Sequence, residues 1–317
     1  MPSVRKAAAI MSILAASVSA ATATSDTDMY ATPAPPPSTT SATLDLRYKA
    51  TTREIESALA TARRVHDSDR TSALTALLAT GHRRFLVFDP RGRGRIVEVI
   101  GDLRRADRIA VVVPGADNSL TNYDSPKFAG GGSRALYRQA RAAAPGTRLA
   151  VIAWLGYDSP PSLSTAVLTS KRAEQAVPTL RRLLTTIHRV NGHGRIALLC
   201  HSYGSVVCAK AAPHLAPLPV DEIALFGSPG TTADNITDLR TSARVWAGRA
   251  KGDWMRHVPN VRFAGLGFGP DPVSPGFGAL RFDAGTGPHS AYLKSGSLAL
   301  RNLALIALGR ATEVTRA

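Results

Sequence analysis

Ile196-Ala197-Leu198-Leu199-Cys200-His201-Ser202-Tyr203-Gly204-Ser205-Val206-Val207-Cys208 is the stretch that decides the fold. The apolar run Ile196 to Cys200 has no polar face and is too short for a helix, so it predicts a strand buried on both sides. After Ser202 a helix is expected over Val206 to Pro213. A strand that turns sharply into a helix sets the turn residue at the carboxyl end of a sheet, where open α/β sheets carry their functional loops. The pattern G-x-S-x-G in that context marks a nucleophilic serine, its small neighbours tolerating the crowded turn. Gly204 keeps the second small position, and Cys200 stands where the first Gly is usual. The competing reading of Ser202 is a plain helix N-cap between core elements.

Outward from this turn the chain alternates short apolar runs with helical stretches. Strands are expected at Phe85 to Phe88, Arg95 to Ile100, Ile109 to Val113, Leu149 to Trp154, Glu222 to Phe226, Ala243 to Ala247 and Phe263 to Gly267. Helices are expected at Ser170 to Val190 and Ser297 to Leu308. Such alternation predicts a mostly parallel sheet with helices on both faces. Leu44 to Thr80 carries helical spacing broken at Asp67-Ser68-Asp69, which predicts a helical hairpin ahead of the sheet.

A serine hydroxyl needs a base, and the base needs a third group to hold it. Behind an elbow of this type the chain order is Ser, acid, His. His289, in Gly285-Thr286-Gly287-Pro288-His289-Ser290 before the last helix, is the candidate base; His214 and His257 are placed less well. Asp253, a short loop after Ala243 to Ala247, is the favoured acid, and Asp271 in Gly269-Pro270-Asp271-Pro272 remains the alternative. An oxyanion needs two backbone N–H donors. Tyr203 and Ala116 are the candidates, with Gly115 letting the backbone approach the substrate. Trp154 and Tyr157 follow a strand end and are expected either to shape the substrate pocket or to pack in the core.

The chain has 317 residues, 44% of them hydrophobic, and a net charge of +16. The basic residues are scattered, without basic blocks or interleaved aromatics, which argues against a nucleic-acid partner. A basic surface still attracts anionic polymers or lipid head groups. Arg5-Lys6, the uncharged Ala7 to Ala20 and small residues before 23 form the pattern of a secretory signal peptide over 1–23. The run is too short for a comfortable membrane span. A Pro/Thr/Ser-rich spacer is expected over 24–43, the helical segment over 44–81 and the main domain over 82–317. The expectation is thus a secreted, extracellular protein without stable membrane insertion. Cys200 and Cys208 bracket Ser202, either as a disulfide or as two buried thiols. No zinc spacing or glycine-rich phosphate loop is present, so no metal or cofactor is expected.

From about Ile109 to Gly309 the chain resembles an actinobacterial α/β-hydrolase family long filed as a domain of unknown function. The segments that carry the resemblance are Val112-Val113-Pro114-Gly115, Trp154-Leu155-Gly156-Tyr157-Asp158, His201-Ser202-Tyr203-Gly204-Ser205, Gly269-Pro270-Asp271-Pro272 with Phe277-Gly278-Ala279, and His289-Ser290-Ala291-Tyr292. The resemblance implies an α/β-hydrolase fold and a serine-hydrolase triad of Ser202, Asp253 and His289, and it leaves Asp271 open. It supplies no substrate. The expected activity is cleavage of a carboxylic ester, from a small or lipid-like acyl substrate, through an acyl-enzyme on Ser202. An amidase, peptidase or acyltransferase would use the same groups, and a non-catalytic binding protein is the reading from another class.

Overall fold

The computed structural model describes residues 29–33 and 38–317. The expected signal peptide over 1–23, with residues 24–28 and 34–37 of the expected spacer, lies outside the described residues. Helices α1 (Leu44–Arg64) and α2 (Ser68–Leu78) form the hairpin expected ahead of the sheet. Asp67 stops the chain between them, its carboxylate accepting the Arg70 N–H at 3.0 Å as an N-cap.

The sheet follows. Its strands are β1 (Arg84–Asp89), β2 (Arg95–Gly101), β3 (Arg108–Val113), β4 (Leu149–Leu155), β5 (Arg195–His201), β6 (Val220–Phe226), β7 (Arg244–Gly248) and the two-residue β10 (Leu280–Arg281). Their spatial order is β1-β2-β4-β3-β5-β6-β7-β10. From β4 through β10 every pairing is parallel, and β1 with β2 adds an antiparallel edge. Continuous apolar strands need cover on both faces, and helices supply it. On one face α4 (Lys171–Val190) and α5 (Tyr203–Ala211) bury Leu180, Leu184, Val206 and Val207 against Val111, Ile152 and Leu198. On the other face α3 (Ala129–Ala143) and α6 (Leu298–Ala307) bury Leu136, Leu300 and Leu303 against Val112, Val151 and Trp246. The hairpin packs on the antiparallel edge, where the buried Arg47 donates from Nε to the Leu86 carbonyl at 2.7 Å.

Three expectations change. Within the stretch 24–43, expected as a spacer, Tyr30 is packed: it joins the apolar cluster of Ile55, Ala58 and Leu59, beneath the Arg70 guanidinium at 4.7 Å from its ring. It is the one aromatic of that run, and a ring offers enough apolar area to offset local ordering. Phe263 to Gly267 is not a strand of the main sheet. It forms the small antiparallel hairpin β8 (Arg262–Phe263) and β9 (Leu266–Gly267). Ala264 and Gly265 both adopt positive φ (49° and 80°), the geometry of a tight two-residue hairpin turn. The elbow helix begins at Tyr203, not Val206, because Ser202 itself makes the turn.

Candidate active site

Ser202 sits between β5 and α5 with φ 52° and ψ −125°, a conformation that L residues rarely adopt. Such strain costs about 1–3 kcal/mol and persists only where the surroundings hold it. Here they do. The Ser202 N–H donates to the Phe226 carbonyl on β6 at 2.9 Å, and Ser205 N–H donates to the Ser202 carbonyl at 2.9 Å. Ser205 Oγ donates to the Cys200 carbonyl at 3.0 Å. Cys200 and Cys208 are joined by a disulfide, their Cα atoms 6.4 Å apart, so strand and helix are tied covalently on either side of the serine. Of the two readings left open for these cysteines, the structure has the disulfide. Gly204 is required by contact: a Cβ there would lie 2.4 Å from the Val113 carbonyl oxygen.

The three candidate residues converge. His289 Nε2 lies 2.9 Å from Ser202 Oγ, and its Nδ1 lies 2.9 Å and 3.0 Å from the two carboxylate oxygens of Asp253. A carboxylate only accepts, so Nδ1 carries the proton and Nε2 presents a lone pair to the Ser202 hydroxyl. Asp253 is fully buried and reaches the site from the loop after β7. It also caps a short 3-10 turn over Trp254–His257, accepting Met255 N–H at 2.8 Å. Burial alone would raise its pKa. Hydrogen bonds from His289 and Tyr292 outweigh this and hold the carboxyl below its ordinary value. Asp271 is engaged elsewhere: it pairs with Arg249 and accepts Val273 N–H at 3.1 Å, fixing its own loop.

Two further side chains hold His289 and Asp253 in place. Tyr292 donates its hydroxyl to Asp253 Oδ2 at 2.5 Å and accepts Ala250 N–H at 3.0 Å. Burial and the adjoining Asp253 raise the pKa of this hydroxyl, so it stays a donor. His201 donates from Nε2 to the His289 carbonyl at 3.0 Å and stacks on Phe226 with ring centroids 5.3 Å apart. Burial, then proximity to His289, lowers its pKa to about 3, so the ring is neutral over the physiological range. Neither residue follows from triad logic. A His directly before the serine, and a Tyr three residues after the base, were the signals available.

The loop after β3 faces the serine from the other side. A Cβ on Gly115 would lie 2.7 Å from Ser202 Cβ and 3.2 Å from Oγ, so the loop backbone and the Ser202 side chain are nearly in contact. The Gly115 carbonyl is held by three groups: Ser159 Oγ at 2.7 Å, Tyr157 hydroxyl at 3.2 Å and Asn118 Nδ2 at 3.3 Å. A trans peptide points its C=O and N–H in opposite directions, so these anchors turn the Ala116 N–H the other way. Tyr203, as the first residue of α5, has a backbone N–H without an intrahelical partner. Its hydroxyl donates to the Thr169 carbonyl at 2.7 Å.

Of the two readings left open for Trp154 and Tyr157, pocket shape and core packing, the structure has core packing, not the expected substrate-binding position. Trp154 is buried in the core and stacks on Tyr157 with centroids 5.6 Å apart, and Tyr157 also donates to the Pro114 carbonyl at 2.8 Å. Both lie on the side of the loop away from solvent, so they act through Gly115. Asn118 and Ser159 share that task and escaped the sequence reading. Among the described residues no group of three or more His, Cys, Asp or Glu side chains is placed to hold a metal ion.

The alpha/beta hydrolase family matches residues 89–263. The uncharacterized protein Rv2079 of Mycobacterium tuberculosis (strain ATCC 25618 / H37Rv) is 33% identical over 268 residues, covering 70% of this chain and 38% of that protein. The chain therefore spans less than half the length of this relative. The uncharacterized protein Rv0963c of the same strain is 32% identical over 200 residues, covering 60% of this chain and 72% of that protein. Among solved structures, XC6422 from Xanthomonas campestris, described as a serine hydrolase without a lid, overlays with a TM-score of 0.44 at 14% identity, covering 74% of this chain and 96% of that one.

Proposed function

The chain belongs to the alpha/beta hydrolase family, and on that premise we propose that it is a serine hydrolase that cleaves carboxylic esters through an acyl-enzyme on Ser202. The observation that carries this reading is the unbroken hydrogen-bonded line from Ser202 Oγ through His289 to the buried Asp253. Ser202 Oγ attacks the acyl carbon as His289 Nε2 takes its proton. Asp253 stabilises the imidazolium and keeps the ring in its working tautomer. The carbonyl electrons move onto oxygen, which receives the N–H groups of Tyr203 and Ala116. The tetrahedral intermediate collapses, the C–O bond to the leaving alcohol breaks, and His289 returns the proton to that oxygen. Water then repeats the sequence: His289 takes its proton, its oxygen attacks the acyl carbon, and Ser202 leaves with the proton restored.

His201 and Tyr292 are positioning residues in this scheme, one holding the His289 backbone and the other the Asp253 carboxylate. The expected secretion is part of the proposal. Its support is the signal-like pattern of 1–23 together with the Cys200–Cys208 disulfide, a bond favoured in oxidising compartments. Stopped-flow turnover of short p-nitrophenyl esters tests the reaction. A burst of nitrophenol stoichiometric with enzyme, absent in Ser202→Ala, is expected. Turnover that survives in Ser202→Ala refutes the acyl-enzyme.

A further inference from the structure

Six large apolar side chains stand in solvent on the two loops that flank Ser202. Leu163 and Leu168 lie on the segment after β4, and Trp254, Val261, Phe263 and Leu266 lie on the segment after β7. Leu163 is 95% exposed, Phe263 81% and Trp254 56%. Both segments are tied to the site. On one side Ser162 N–H donates to Asp117 Oδ1 at 2.8 Å, and the Tyr203 hydroxyl holds Thr169. On the other side Phe268, at the foot of the β8–β9 hairpin, meets the Tyr203 ring edge-on at 5.8 Å, and the Trp254 ring lies 5.1 Å from that of His289. Scattered exposed leucines need no explanation, but apolar residues gathered around one site mark an interaction surface.

On these two segments cations outnumber carboxylates. Lys171, Lys251 and Arg256 are exposed and have no carboxylate partner among the described residues. Of the nearby acids, Asp158 pairs with Arg172, Asp271 with Arg249, and Asp234 lies 3.7 Å from Arg262, while Asp117 accepts the Ser162 N–H. Apolar tips ringed by unmatched cations suit a layer with anionic head groups above acyl chains. A second copy of this chain would bring the same cations against each other.

We infer that these two loops form an interfacial docking surface that seats the mouth of the site on an anionic lipid layer. That the layer also supplies the ester to Ser202 rests on the proposed function; the docking does not. The chain provides its own reporter, because Trp154 and Trp246 are buried (1% and 0% exposed) and Trp254 is the exposed tryptophan.

The test uses the full chain carrying Ser202→Ala, so that binding is read without turnover, and unilamellar vesicles of phosphatidylglycerol or of phosphatidylcholine. Phosphatidylglycerol vesicles are expected to shift tryptophan emission to the blue, brominated phosphatidylglycerol to quench it, and phosphatidylcholine to do neither. Raising salt from about 0.1 M to about 1 M weakens the binding by screening. Phe263→Ser and Leu163→Ser each lower vesicle affinity about tenfold, as loss of one large buried apolar group predicts. In the Ser202 background both leave turnover of a soluble short ester unchanged. The inference is overturned if phosphatidylglycerol leaves the emission unmoved, if both lipids bind alike, or if binding ignores Phe263→Ser and Leu163→Ser. It is equally overturned if the emission is already blue without lipid and the protein sediments as a dimer. Failure of ester turnover alone touches the proposed function and leaves the docking result standing.

Discussion

Gly115→Ala adds one methyl group against the Ser202 side chain. The new Cβ would meet Ser202 Cβ at 2.7 Å, the His201 carbonyl oxygen at 3.0 Å and Ser202 Oγ at 3.2 Å, where ordinary contact begins at 3.4 Å. The main overlap is therefore about 0.7 Å. Neither side yields easily. The elbow is tied by the disulfide and by the bond to Phe226, and the loop is held by Tyr157, Ser159 and Asn118. A displacement approaching 1 Å between nucleophile and oxyanion donors costs about 100-fold in rate, while overpacking costs about 1–3 kcal/mol of stability. Ester turnover should thus fall about 100-fold in a protein that still unfolds cooperatively. Gly146→Ala, where a Cβ meets nothing within 4 Å, is the matched control and should keep full activity. Turnover within threefold of the parent in a folded Gly115→Ala protein would refute the placement of this loop at the reacting atoms.

Asp253→Asn should lower kcat by about 10⁴-fold, whereas Asp271→Asn should change it less than tenfold; steady-state kinetics of the pair decides which acid holds His289. Tyr292→Phe removes a hydrogen bond to a buried carboxylate and leaves Ala250 N–H without a partner. Urea unfolding should show a loss of about 2–4 kcal/mol. His201 takes a proton near pH 6.5 when unfolded but only near pH 3 in the fold. A folded pKa that is depressed gives stability that is complete above about pH 6.5 and is lost as pH falls toward 3. The slope is at most about 1.4 kcal/mol per pH unit. Urea midpoints between about pH 6.5 and 4.5 should follow that slope and flatten in His201→Asn. Reducing the Cys200–Cys208 disulfide, which closes a short loop, should cost about 2–3 kcal/mol, read by unfolding with and without reductant; native protein should show no thiol reactive to maleimide.

Much of the molecule was legible in the sequence because its cues are local. Strands β3 to β6 have continuous apolar runs, Ile109 to Val113, Leu149 to Leu155, Ile196 to Cys200 and Ile223 to Phe226, and burial in a covered sheet explains them. The break at Asp67 lies in a capping residue. Ser202 was legible from its neighbours, and His289 from its place before the last helix. What escaped depends on distant groups meeting. α3 opens with three glycines, which local propensity reads as a breaker. Strand β10 is two residues long and exists only by pairing with β7. Local pattern favours Asp253 over Asp271 without deciding between them; His289 beside the one and Arg249 beside the other do. Trp154 lies near the end of the apolar run of β4 and Tyr157 follows it, as pocket residues do, yet their contacts run inward to the core and to the loop of Gly115. Cys200, irregular as a motif residue, is explained by Cys208 across the turn.

In the proposed reaction His289 activates Ser202. Incubation with a fluorophosphonate, followed by proteolysis and mass spectrometry, tests it most directly. One adduct is expected, on the peptide holding Ser202, absent in Ser202→Ala and formed at least about 1000-fold more slowly in His289→Ala. An unlabelled folded protein, or an adduct on another residue, would contradict it.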